Sequence, residues 1–277
     1  MKIGMIHPAS SPYSAHGVYL ELILKLHPAC GLIGLHDFAM PRFTLPIDYP
    51  RVRRVKSFAE LVAMPFVDGI HAFCWERSLP GDYAEVVAAL GAGDGEALIA
   101  LDASQLHALQ LSPDGCTAVD QMLADWQLLR DQALDPALNC IYGYPRDEEP
   151  GAVVTDVFSF HVDSAPFEAS TYLCTYYGPP SEGLRHEDAQ KRIDEPTTRA
   201  ALLADFGGED DSSFREYLAD HCYDLHYASA PGAQPFSFGH FNLWRIATDY
   251  PNSPVPPCVH RAPATQFGDP PRLLLIS

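Results

Sequence analysis

Twenty-five prolines and nineteen glycines are spread along this 277-residue chain, so a long uninterrupted helix has few places to form. Punctuation of this density favours many short strands joined by turns. The hydrophobic share, 47%, is nevertheless enough to bury one large core or two small ones, which excludes disorder, collagen and coiled coil. Charge narrows the partners. With 18 Lys and Arg against 36 Asp and Glu the net charge is −18, and a surface this acidic repels phosphate backbones and anionic lipid heads. Neither nucleic acid nor a membrane is expected as a partner.

No run approaches the roughly 20 apolar residues needed to cross a bilayer. The opening MKIGMIHPASSPYS lacks the apolar core and cleavage site of a secretory signal, so a cytoplasmic location is expected. The seven cysteines (Cys30, Cys74, Cys116, Cys140, Cys174, Cys222 and Cys258) are odd in number, widely spread and without any CxxC pair. They are expected to be reduced thiols, mostly small core fillers, and they lack the spacing of a thiolate zinc cluster.

Texture divides the chain. Residues 1–56, with KIGMIHP, VYLELILKL and CGLIGLHDF, read as a strand, a short helix and another strand: a small α/β extension that packs on the main body or contributes a homodimer contact. Residues 57–138 read as a mostly helical layer. SFAELVAMP sets Ser57 three residues before Glu60, a capping-box spacing, GIHAFCWERSLP is a strand candidate, and DYAEVVAAL and TAVDQMLADWQLLRDQAL carry apolar residues at helical spacing. From about residue 139, NCIYGYP, GAVVTDVFSFHVD and ASTYLCTYYGPP read as strands, rich in Val, Phe, Tyr and Thr. An acidic stretch at about 182–224 interrupts them as two short helices around Gly207-Gly208, suited to an insertion or lid. Strand texture returns in PFSFGHFNLWRIA, PPCVHRAP and PPRLLLIS. The fold class expected is α+β: a double-stranded β-helix, a jelly-roll or cupin-like barrel, flanked by helices.

The tripeptide His161-Val162-Asp163 carries the chemistry. Side chains alternate across a strand, so His161 and Asp163 point one way and Val162 the other. With one further histidine they make the two-His, one-carboxylate triad of non-haem iron(II) oxygenases, which leaves positions open for cosubstrate and dioxygen. HxD alone is a weak pattern. The third ligand is assigned to His260, because Arg272 follows twelve residues later. This order is similar to that of oxygenases built on a double-stranded β-helix, where a basic residue shortly after the distal histidine binds the far carboxylate of 2-oxoglutarate. A guanidinium offers that carboxylate a planar two-pronged donor.

His226 and His240 also lie between the HxD and His260, and His240 sits in the strand-like FSFGHFNLW, so both remain alternatives as ligands. Arg261 is expected to face outward in a salt bridge. His7, His16, His27, His36, His71, His107, His186 and His221 have no distinguishing spacing and are expected at the surface or at helix caps. On the strand after the HxD, Tyr172 and Tyr176 share a face; if it is the inner one, either can contact cosubstrate or substrate. Arg245, inside the barrel, would rival Arg272 as the carboxylate clamp.

The runs FHVDSAPFEASTYLCTYYGPPSEGL, VHRAP and PRLLLIS resemble the bacterial family catalogued as domain of unknown function 1826, and FCWERSLPGDYAEVVAAL resembles its beginning. The resemblance covers roughly residues 57–277 and brings no activity with it. It implies that His161, Asp163, His260 and Arg272 belong to one frame similar to the 2-oxoglutarate oxygenases. The chain departs from the family pattern at Gly178–Gly183, where Gly-Thr-Glu-Trp is expected in place of Pro-Ser-Glu-Gly, so no substrate contact is carried over there.

The function expected is an iron(II)- and 2-oxoglutarate-dependent dioxygenase that hydroxylates or desaturates a small, amino-acid-like or cationic substrate. A zinc-dependent hydrolase and a cupin-like sensing module without turnover are the alternatives.

Overall fold

The structure is a computed structural model that describes residues 49–93, 96–146, 151–265 and 269–277. The expected strands and helix of the N-terminal extension before residue 49, with His7, His16, His27, His36 and Cys30, lie outside the described residues.

Among the described residues the chain forms six α-helices and thirteen short strands. The strands are β1 (Val52–Val55), β2 (Ala72–Trp75), β3 (Leu98–Leu101), β4 (Ala137–Ile141), β5 (Phe160–His161), β6 (Ser170–Tyr177), β7 (Glu182–Gly183), β8 (Ala189–Lys191), β9 (His226–Ser229), β10 (Phe236–Ser237), β11 (Leu243–Ala247), β12 (His260–Arg261) and β13 (Arg272–Ile276). They build two mostly antiparallel sheets. The larger has the order β1-β2-β11-β6-β13-β4-β3, and the smaller β10-β7-β12-β5-β9-β8. The β1–β2 pair is parallel, and the other pairings between these strands are antiparallel. From β4 onward the chain crosses repeatedly between the sheets: β4, β6, β11 and β13 belong to the larger one, and β5, β7, β10 and β12 to the smaller.

Helices α1 (Phe58–Ala63), α2 (Tyr83–Leu90), α3 (Ala103–His107) and α4 (Pro113–Arg130) precede β4. Each starts at a side-chain cap, although the helix at Ala103–His107 was not expected and the last one begins at Pro113, four residues before the expected TAVDQMLADWQLLRDQAL. Ser57, Asp82, Asp102 and Ser112 accept a hydrogen bond from the backbone N–H three residues on, and Pro113 occupies the first turn of α4. Leu61, Val86, Val87, Leu106, Ala118, Val119, Met122 and Leu129 from these helices share one buried cluster with Phe73, Tyr172, Cys174, Tyr176 and Leu273 of the larger sheet. At about 1.5–3 kcal/mol for each large apolar side chain buried, this layer is a principal source of stability.

Between the two sheets lies a second cluster that includes Leu173, Phe236, Phe238, Trp244, Cys258 and Leu274. A third, with Phe160, Val162, Leu184, Tyr227 and Val259, covers the far side of the smaller sheet. Helices α5 (Pro196–Phe206) and α6 (Ser212–Asp220) carry a small core of their own with Val153, and Gly207 ends α5 in the left-handed conformation.

Several expectations need correction at the level of elements. The helical layer contains the strand Leu98–Leu101 as well as Ala72–Trp75, and Val52–Val55 just before it pairs with β2. The stretch at 182–224 opens with strands β7 and β8 and two short 3-10 turns, His186–Asp188 and Arg192–Asp194, and its α-helices begin at Pro196. GAVVTDVFSFHVD is strand only at Phe160–His161, since the residues before it follow turns held by the Asp156 carboxylate. FSFGHFNLW is broken into two strands by positive φ at Gly239 (69°) and Phe241 (67°), which leaves His240 between them.

Candidate metal centre

The ligand-bearing strands are only two residues long, so packing rather than strand length fixes their side chains. Phe160 and Val162 enter the apolar cluster on the outer face of the smaller sheet, and alternation turns His161 and Asp163 inward. Val259 does the same for His260. Antiparallel pairing sets His260 opposite His161, and Asp163 is tethered by its carbonyl, which accepts a hydrogen bond of 2.7 Å from the Asp249 N–H.

The structure thus brings His161, Asp163 and His260 together. One ligand atom from each lies within 4.8 Å of the others, the two imidazole centroids are 4.7 Å apart, and His260 Nε2 is 3.7 Å from Asp163 Oδ2. His161 and His260 are buried. His161 Nδ1 donates to the Ser159 carbonyl at 2.8 Å and His260 Nδ1 to that of Cys258 at 3.2 Å. A carbonyl only accepts, so in both rings the proton sits on Nδ1 and the Nε2 lone pair is left for a metal. Thr171 Oγ1 donates to Asp163 Oδ2 and orients the carboxylate. Burial first, and the neighbouring His260 second, lower the His161 pKa to about 4 against the pull of Asp163. His161 is therefore neutral at physiological pH. Two buried lone pairs and a carboxylate facing one another make a site that a divalent cation relieves. Two imidazoles and a carboxylate suit iron(II) and zinc alike.

Arg272 is 2% exposed and reaches across the gap between the sheets. Its Nη1 donates to the Tyr144 hydroxyl at 3.1 Å and its Nη2 to Ser181 Oγ at 3.0 Å, while Nε has no partner. No carboxylate among the described residues lies within ion-pairing distance of it, and burial lowers its pKa. With Ile141, Tyr142, Gly143, Tyr144, Thr265, Asp269 and Pro270, Arg272 lines a pocket. A buried cation with only neutral partners is costly unless an anion completes it. Gly178 (φ 76°) lets the chain pass close to Pro271 and Arg272, where a Cβ would collide with the Pro271 carbonyl.

Other expected site residues lie elsewhere. The inner face of β6 carries Thr171 and Leu173, so Tyr172 and Tyr176 face the helices, on the side of the strand opposite the hydrogen bond from Thr171 to Asp163. The reason is chemical: the Tyr176 hydroxyl, fully buried, donates to Asp125 Oδ2 on α4 at 2.7 Å, and its ring stacks on Tyr83. Arg245 is no rival clamp. Its Nη1 donates to the carbonyls of Leu61, Val62 and Met64, where it caps α1 on the outside of the sheet. Arg261 does face outward, paired with Glu182 at 2.7 Å. His240 donates to the Gly178 carbonyl and is not among the grouped ligands; His226 stands beside His161 without joining them. His107 and His221 sit at the ends of α3 and α6 as expected, but His71 is wholly buried between Tyr49 and the Pro257 carbonyl.

Thr171, Ser181 and Tyr144 escaped the sequence reading. A signal existed only for the first: two positions before Leu173, it shares the face opposite Tyr172. No family model, curated protein or solved structure matches the chain.

Proposed function

We propose that this protein is a non-haem iron(II)- and 2-oxoglutarate-dependent oxygenase on a double-stranded β-helix, acting on a small substrate by hydroxylation or desaturation. The observation that carries the reading is the conjunction of two features: a group of two buried imidazoles and one carboxylate close enough to share a metal ion, and a buried guanidinium with no carboxylate partner among the described residues. The repeated crossing of β4 to β13 between two antiparallel sheets supports the jelly-roll reading of the fold. Kinship with the family of domain of unknown function 1826 belongs to the same proposal.

His161, Asp163 and His260 would hold iron(II), which supplies, when bound, the redox chemistry and the open positions that dioxygen activation needs. The protein's own residues do the rest. Nδ1 hydrogen bonds fix the two imidazoles, Thr171 fixes the carboxylate, and Arg272, with Tyr144 and Ser181, receives the distant carboxylate of a dicarboxylic keto acid such as 2-oxoglutarate. Asp163 keeps the third protein position filled, so hydroxylation or desaturation is expected rather than halogenation. The closely packed apolar cluster between the sheets keeps water from this end of the site. The acidic stretch at 182–224 favours a cationic or zwitterionic substrate.

The test is conversion of 2-oxoglutarate to succinate in air by the iron(II)-loaded protein without added substrate, since such oxygenases turn over slowly uncoupled. Succinate formation that Asp163→Ala abolishes supports the proposal. A protein that binds iron but forms no succinate contradicts it, and hydrolysis of ester or amide substrates by the zinc form would point to the hydrolase reading instead.

A further inference from the structure

His226 is a third buried imidazole on the same wall. The register aligns Gly183, His260, His161 and His226 in one row across four strands of the smaller sheet. Residues directly opposite one another in an antiparallel pair share a face, so His226 points into the same space as the two ligand histidines. Its ring centroid is 5.8 Å from that of His161, with 42° between the planes.

Its hydrogen bonding sets it apart. His161, His260 and His71 each tie Nδ1 to a backbone carbonyl, and His240 ties Nε2 to one. His226 is 1% exposed, and its Nδ1 is buried with no partner at all. Such an orphan is costly, because nothing replaces the hydrogen bond it gives up on leaving water. A structural histidine at this place is expected to reach a carbonyl, as those four do; His186 Nδ1 is also unpartnered, but that side chain is only partly buried and lies outside this row. His226 also lies outside the 4.8 Å group, so it is not a fourth ligand.

We propose that His226 is a binding residue for the exogenous ligand of the metal centre: its free imidazole nitrogen hydrogen-bonds a small anionic or oxygen-bearing group that fills a coordination position beside His161. The inference rests on the metal-centre reading and not on 2-oxoglutarate. Arg192, whose positive charge is felt at His226, adds a favourable field for an anion on that side.

The probe is azide, a small anion that fills open positions on cobalt(II) and accepts hydrogen bonds. Cobalt(II) is titrated into the full-length apoprotein, then azide, each followed by visible absorption. His226→Phe is expected to leave cobalt(II) affinity within threefold and to weaken azide at least tenfold, and His226→Gln to restore most of that loss. Thermal unfolding of each variant reports whether it is folded; should His226→Phe fail to fold, the comparison is made with His226→Leu. Unchanged azide affinity in the folded variant, or no azide response in the parent, overturns the proposal. So does a loss of cobalt(II) affinity of thirtyfold or more, which would make His226 a ligand. A parent that binds no cobalt(II) overturns the metal centre itself, whereas cobalt and azide binding without any 2-oxoglutarate response overturns only the oxygenase reading.

Discussion

Thr171 has one visible task, the hydrogen bond from its hydroxyl to Asp163 Oδ2. Outer hydrogen bonds of this kind typically change metal affinity by about 10–100-fold. Thr171→Val keeps the β-branched shape that a strand favours, so the fold should survive while cobalt(II) or iron(II) affinity falls by that factor. An unchanged affinity by competitive chelator titration would mean that the carboxylate is held by something else. Arg272 makes the opposite case, a residue whose removal should barely harm the empty protein. Losing it forfeits two hydrogen bonds but also removes a buried charge that has no ion-pair partner among the described residues. Arg272→Met is therefore expected to unfold in urea within about 1 kcal/mol of the parent and to lose the stabilisation that 2-oxoglutarate confers on the metal-loaded form. A severe loss of stability without ligand would mark Arg272 as a purely structural residue.

At the scale of elements, α4 is fastened to the larger sheet by one ionic clasp. Arg77 grips Asp125 through two hydrogen bonds of 2.6 and 2.7 Å, both side chains are nearly buried, and Arg77 Nε donates to the Phe241 carbonyl. Breaking such a pair from one side strands a buried charge, so Asp125→Ala should cost about 3–5 kcal/mol in urea unfolding. Arg77→Met with Asp125→Leu should recover much of that, and a loss confined to a few tenths would refute the clasp. The same residues show where sequence reasoning stops. Cap residues Ser57 and Asp82 and the apolar spacing of α2 and α4 are local signals, and those helices were legible. Which face of β6 looks inward was not, because Tyr172 and Tyr176 suit either side until Asp125, far away in the chain, supplies a hydroxyl acceptor. Arg245 was misplaced for the same reason: its partners are the carbonyls at the end of α1.

On the scale of the whole molecule, buried histidines make the fold sensitive to acid. Burial, helped by the neighbouring His186, lowers the His71 pKa to about 3. The unfolded chain takes up that proton near pH 6.5, so between about pH 6.5 and 3 the unfolded state binds more protons and stability falls as the pH falls. For His71 alone the loss from pH 7 to pH 5 is about 2 kcal/mol. His71→Gln should flatten the pH dependence of urea unfolding by that amount whatever it does at pH 7; an unchanged slope would show that His71 does not titrate in this way. Among the described residues no helix is long and apolar enough to cross a membrane. The convergence of His161 and Asp163 was legible because strand alternation works at the shortest range, whereas His260 rested on the order of His260 and Arg272 in the chain and on no local signal. Ser181 and Tyr144 were not legible, because only the meeting of two sheets brings them to Arg272.

The central claim is that the triad and Arg272 serve one bound keto acid. An anaerobic titration of the apoprotein with iron(II) and then 2-oxoglutarate tests it most directly, through the visible charge-transfer band of a keto acid chelated to iron(II). The account predicts a band in the parent, none with His260→Ala, and with Arg272→Met a band that needs at least tenfold more 2-oxoglutarate. Iron binding without a band at any 2-oxoglutarate concentration, or a band indifferent to Arg272→Met, would contradict it.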